Sequence, residues 1–110
     1  MIWQWIYRYD RDINDKNSKL TFMHALANQK FYNRVWEKAV SETGVKLVRD
    51  WGTFTPAQVD EVLDELHILM EWCEQNLKGE DYIRFKDRIE DLMTVIPEEV
   101  PNSDEPFHIF

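Results

Sequence analysis

Cysteine is nearly missing from this chain: Cys73 stands alone among 110 residues. An internal disulfide is therefore impossible, which suits a reducing compartment. Glycine and proline are also scarce, at 3 and 4. Most of the chain is expected in regular structure, and three isolated glycines cannot build a phosphate-cradling loop. No G-x-S-x-G occurs. No apolar stretch approaches the roughly 18 residues of a membrane helix. Met1-Ile2-Trp3-Gln4-Trp5 lacks the basic start, apolar run and small-residue cleavage site of a secretory signal. The expectation is a single-domain cytoplasmic protein without a membrane partner.

Basic residues are missing from long stretches of the second half. Residues 1–49 hold nine Lys or Arg against five Asp or Glu. Residues 50–110 hold four against sixteen, and the net charge is −8. From Asp50 to Leu77 there are seven acids and no Lys or Arg. Phosphates would be repelled from such a surface, so direct nucleic-acid binding is not expected there, whereas a basic protein partner is compatible with it. The split between a basic first half and an acidic second half also permits self-association.

What is present reads as an α+β domain, mostly helical, with a small antiparallel sheet. Along residues 2–9, Trp3, Trp5, Tyr7 and Tyr9 alternate with Ile2, Gln4, Ile6 and Arg8. This is the period of a strand with one buried face. Asp10 to Asn17 is a polar turn region. Ser18 is placed to cap a helix carrying Leu20, Met23, Leu26 and Ala27. Phe31, Tyr32, Val35, Trp36, Ala39 and Val40 recur at helical spacing before a stop at Gly44. One helix over 19–43, or a break near Asn28, both fit. Residues 45–51 read as a second strand.

Thr55, Pro56 and Gln58 form a T-x-x-Q helix start. The helix over 56–78 then carries an apolar stripe of Val59, Val62, Leu63, Leu66, Met70, Cys73 and Leu77. A partner helix over 80–95 turns Ile83, Ile89, Leu92, Met93 and Ile96 inward and stops at Pro97. The short link at Gly79 implies an antiparallel pair. The acidic, proline-containing segment 98–106 is expected to be extended and mobile. Residues 106–110 are apolar enough to dock, with a strand beside 2–9 as the candidate arrangement.

Catalytic and metal-binding patterns are weak. Cys73 falls on the inward stripe, where packing is the expected role, since reactive thiols need an exposed electropositive setting. His24, His67 and His108 form no H-x-x-x-H pair. His67 and Glu71 are one turn apart, but a metal site needs a third and fourth ligand. No metal and no cofactor is expected. Asp60/Asp64 and Glu61/Glu65 are paired carboxylates on a helix face that offers neither a concave pocket nor unequal environments for acid–base work.

One feature remains. Asp60, Glu61, Asp64, Glu65, Ile68, Glu71 and Trp72 lie off the apolar stripe of the 56–78 helix. An apolar centre containing Trp and ringed by carboxylates has the composition of a hot spot for a basic protein surface. The plainer reading is a solvated charged face, with Trp72 covered by the N-terminal strand or the C-terminal tail.

Three functions follow. The first is a non-enzymatic inhibitor, an immunity protein or antitoxin that occludes the basic cleft of a nuclease-type toxin. The second is a phage-encoded inhibitor that mimics nucleic acid to occupy a host defence protein. The basic first half disfavours it, because a mimic should spread its acids along one long face. The third is a small enzyme with an unrecognised carboxylate site. The size and charge profile resembles that of bacterial immunity proteins in composition, and no motif carries the resemblance.

Overall fold

The aromatic-alternating segment forms β1 (Trp3–Tyr9) in the computed structural model, which describes residues 3–110. Ile2, placed in this strand from the sequence, lies outside the described residues. The buried face is the mixed one: Gln4, Ile6 and Arg8 point into the core, and the four aromatics point away from it, half-exposed.

The neighbour of β1 is β2 (Leu20–Asn28), paired antiparallel. This corrects the helix expected from Leu20, Met23, Leu26 and Ala27. The turn before it is closed by Asp12 and Asp15, whose carboxylates accept the N–H groups of Asn14 and Asn17. Register shifts between Gln4 and Trp5 and between Arg8 and Tyr9 interrupt the two-residue period of β2. Such bulges place consecutive residues on one side and blur the strand signal. Leu26 and Ala27 are accordingly both buried.

The chain does break near Asn28. Asn28 Oδ1 accepts the Phe31 N–H at 2.8 Å and starts helix α1, which spans 29–43. A wide turn at Tyr32–Trp36 interrupts it, the Glu37 N–H reaching back to the Tyr32 carbonyl. Gly44 ends it at φ +77, a left-handed conformation that glycine adopts at little cost.

Residues 45–51 form a run of turns, not the expected strand; the strand is β3 (Thr53–Phe54). The reason lies in where the backbone finds partners. The N–H groups of Lys46, Leu47 and Val48 donate to the Glu65 carboxylate at 3.0–3.2 Å. The Val48 carbonyl accepts from Trp36 Nε1, and the Asp50 N–H donates to the Tyr32 hydroxyl. Side chains thus replace the ladder that a strand would need.

A single 3-10 turn at Pro56–Gln58 leads into α2 (Val59–Asn76), with Gln58 Oε1 accepting the Thr55 N–H at 3.0 Å. Helix α3 (Gly79–Glu99) follows immediately. Val62, Leu66, Leu69 and Cys73 of α2 and Phe85, Ile89, Leu92 and Ile96 of α3 are fully buried. Both sets follow a four-three-four spacing, the seam of a packed helix pair. Ile83, expected inward, is 58% exposed, and Phe85 holds the inward place.

Pro97 does not stop α3, which runs two residues past it. Proline there forfeits one backbone bond near the C-terminal end. Burial of Ile96 and the capture of the next carbonyls by Arg8 hold the last turn. The Arg8 guanidinium is fully buried and donates to the carbonyls of Glu99, Val100, Ser103 and Glu105. It also lies 4.4 Å from the centre of the Phe107 ring. Burial lowers its pKa against the pull of Glu99. The segment 98–106, expected to be extended, is instead helical at its start and wrapped around this cation.

The chain then enters β4 (Phe107–Ile109), which lies between β1 and β3. The sheet order is β2-β1-β4-β3, every pair antiparallel. The fold is α+β: among the described residues, a four-stranded sheet with three helices. No helix among the described residues is long and apolar enough to cross a membrane.

Candidate functional site

Helix α2 carries the residues singled out from the sequence, and the structure divides them into two groups. Asp60, Glu61, Asp64, Ile68 and Glu71 are all exposed. At about 100° per residue they fall within a single arc of about 100°. None of the four acids in this arc has a Lys or Arg partner within 4.0 Å among the described residues. Ile68 sits among them at 45% exposure. The result is a convex acidic ridge around one apolar side chain.

Trp72 and Glu65 belong elsewhere, and both expectations are corrected. Trp72 is only 7% exposed, its ring 6.0 Å from Phe85 and tilted edge-on to it. Its Nε1 donates to Glu42 Oε1 at 3.1 Å. Glu65 is half-buried and takes the three N–H groups of the turn after α1. The cause is shared. Helix α2 meets α1 and its following turn on one flank and α3 on the other, so the buried arc is wider than a stripe facing one neighbour. Glu65 and Trp72 occupy the α1 flank. Cys73 faces α3, its thiol directed at the Tyr82 carbonyl at 3.7 Å. Burial pushes the Cys73 thiol up to about 11, as an inert packing role requires.

A second surface escaped the sequence reading. The outer face of the sheet carries Trp3, Trp5, Tyr7 and Tyr9 from β1, and the register places Leu20, Met23 and Ala25 of β2 and His108 of β4 on the same side. Tyr9, Tyr7, Phe110 and Trp51 form a chain of near-parallel rings, with centroid separations of 6.3, 4.6 and 6.0 Å. Trp3 and Trp5 lie 6.2 Å apart.

Trp51 is 79% exposed and adopts φ +66. A bulky residue in the left-handed region costs on the order of 1 kcal/mol or more and persists where its surroundings hold it. Here the Trp51 N–H donates to the Ile109 carbonyl at 2.7 Å, and the Ile109 N–H returns a bond to the Gly52 carbonyl. Gly52 is required beside it, since a Cβ there would meet the Leu47 carbonyl oxygen at 2.0 Å. The alternation in residues 3–9 was the available signal. It did not reveal that the face containing Arg8 would be the inner one.

Neither surface is a pocket of converging reactive groups. Among the described residues no cluster of three or more His, Cys, Asp or Glu is placed to hold a metal ion. No family model, curated protein or solved structure matches the chain.

Proposed function

We propose that the protein is a non-enzymatic, protein-binding inhibitor of the immunity-protein or antitoxin kind, which neutralises a basic, nuclease-type toxin by occluding its active-site cleft. The observation that carries this reading is the unneutralised ridge of Asp60, Glu61, Asp64 and Glu71 around exposed Ile68. A nuclease cleft is basic because it holds phosphates. Carboxylates free of internal ion pairs raise the rate of encounter with it, and an apolar centre resists dissociation.

The ridge is built on a rigid base. Glu65 and Trp72, withdrawn from the binding surface, fix α2 against α1, so the exposed acids are presented by a helix anchored on both flanks. Such preorganisation lowers the ordering cost of association. The reading places the protein in the cytoplasm, where Cys73 stays reduced.

The test is to cross-link the tagged chain to its partner in cells, identify and purify that partner, and titrate its nuclease activity. The expected partner is basic and is silenced by one equivalent of this chain. The triple variant Asp60→Lys, Asp64→Lys, Glu71→Lys is expected to lose that inhibition while remaining folded. An acidic partner, or full inhibition by the folded triple variant, would overturn the reading.

A further inference from the structure

We propose that the outer face of the sheet is the surface on which two copies of this chain pair, face to face about a twofold axis. The proposal rests on the sheet and is independent of the reading of α2.

The first argument is composition. Trp3, Trp5, Tyr7, Tyr9, Met23 and Phe110 share this face with Trp51 beside them, and the register brings no Asp, Glu, Lys or Arg onto it between Trp3 and Tyr9. In a chain whose residues are 31% charged, an uncharged aromatic face is a marked segregation. Isolated exposed apolar residues are ordinary, but contiguous ones on this scale mark a docking surface.

The second argument is which occupant fits. A single-stranded nucleic acid would use such rings for stacking, yet it also needs a track of cations along its backbone. Here the arginines stand at the rim, Arg84 and Arg88 beside Trp3 and Arg49 beside Trp51, and the register puts none between the rings. A strongly basic protein would find carboxylates at the rim, Asp50 near Trp51 and Asp12 and Glu105 near His108, but among the described residues none between the β1 rings. A neutral aromatic face is matched by another neutral aromatic face, and a second copy brings one by symmetry. Two sheets stack about 10 Å apart through interdigitated side chains.

The third argument is charge at longer range. Two chains of net charge −8 repel each other. The acids are concentrated on α2 and α3, and the helices cover the inner face of the sheet, where Ile6, Phe107 and Ile109 are buried. Pairing through the outer faces therefore puts the two acidic layers as far apart as the fold allows. It also leaves both α2 ridges open to solvent.

The fourth argument is area. With strands about 4.8 Å apart and a rise of about 3.3 Å per residue, the strand residues of the face cover roughly 330 Å² per copy. Two copies bury roughly 700 Å² in total, the size of a weak, transient contact. The pairing is accordingly expected to be reversible on dilution.

Sedimentation velocity over a dilution series of the full chain tests the proposal. The expected result is a shift from twice 13.3 kDa towards 13.3 kDa as concentration falls. Tyr7→Glu and Met23→Glu place a carboxylate at the middle of the face and near its edge, and each is expected to sediment as a monomer throughout. Met23 is 47% exposed, so its variant keeps the fold, as circular dichroism would verify. A wild-type chain that is monomeric at every concentration would overturn the proposal. So would a dimer that survives both folded variants.

Discussion

The Trp72 indole donates its N–H to Glu42 Oε1 at 3.1 Å, tying the C-terminal end of α2 to the end of α1. The Trp72 ring packs edge-on against Phe85 of α3 in the same place. One side chain thus joins all three helices. Trp72→Ala is expected to lower stability by about 3–5 kcal/mol through the cavity and the lost burial. Urea denaturation followed by circular dichroism measures it. A loss under about 1 kcal/mol would show that Trp72 is not a core residue.

Glu65 gives a second stability test with a different cause. Its carboxylate is the acceptor for three consecutive backbone N–H groups, those of Lys46, Leu47 and Val48. Glu65→Ala orphans these donors in a partly buried turn and is expected to cost about 2–3 kcal/mol. Hydrogen exchange at the three amides should accelerate more than at the α2 amides. Uniform acceleration across the protein would contradict a local clamp.

Arg8 is expected to control the C-terminal segment. Replacing it with Met keeps much of the bulk but removes every donor to the carbonyls of Glu99, Val100, Ser103 and Glu105. Arg8→Met should release residues 100–106 and weaken the pairing of β4. Limited proteolysis should then cut between Val100 and Pro106, where the wild-type chain resists. Equal resistance in both proteins would show that β4 docks without the cation.

His24 supplies a pH test. Burial lowers its pKa below the usual 6.5, with Arg88 acting in the same direction and Asp91 opposing. Its Nε2 is buried without a hydrogen-bond partner among the described residues. A depressed histidine pKa means that the unfolded chain binds the proton more readily. Stability is therefore fully present above about pH 6.5 and declines as pH falls below it. His108, also lowered by burial, adds to the same slope. Stability measured from pH 7 to pH 5 should fall, and His24→Asn should flatten the decline. An unchanged slope in the variant would contradict the assignment.

Much of the fold was legible because local periods and packing agreed. β1, the Gly44 stop, the Thr55–Gln58 helix start, the antiparallel helix pair and the docking of residues 107–109 beside β1 all follow from patterns of a few residues. The failures have physical causes. Two bulges disguised β2 as a helix, because they spoil the two-residue period. Residues 45–51 carry strand-forming side chains, but Glu65, Tyr32 and Trp36, distant in sequence, take their backbone groups. The candidate site was half legible for a related reason. An apolar stripe predicts burial against one neighbour, whereas α2 has two, and the second flank removed Glu65 and Trp72 from the surface. Asp60, Glu61, Asp64, Ile68 and Glu71 remain exposed because they oppose both flanks.

Association kinetics with the identified basic partner, at low and at high ionic strength, test the role of that ridge most directly. The Asp60→Lys, Asp64→Lys, Glu71→Lys variant is expected to associate about tenfold or more slowly than wild type at low salt, with a flatter dependence on ionic strength. Ile68→Ala should chiefly speed dissociation. Association rates and salt slopes that match wild type in the folded triple variant would contradict a partner surface on α2.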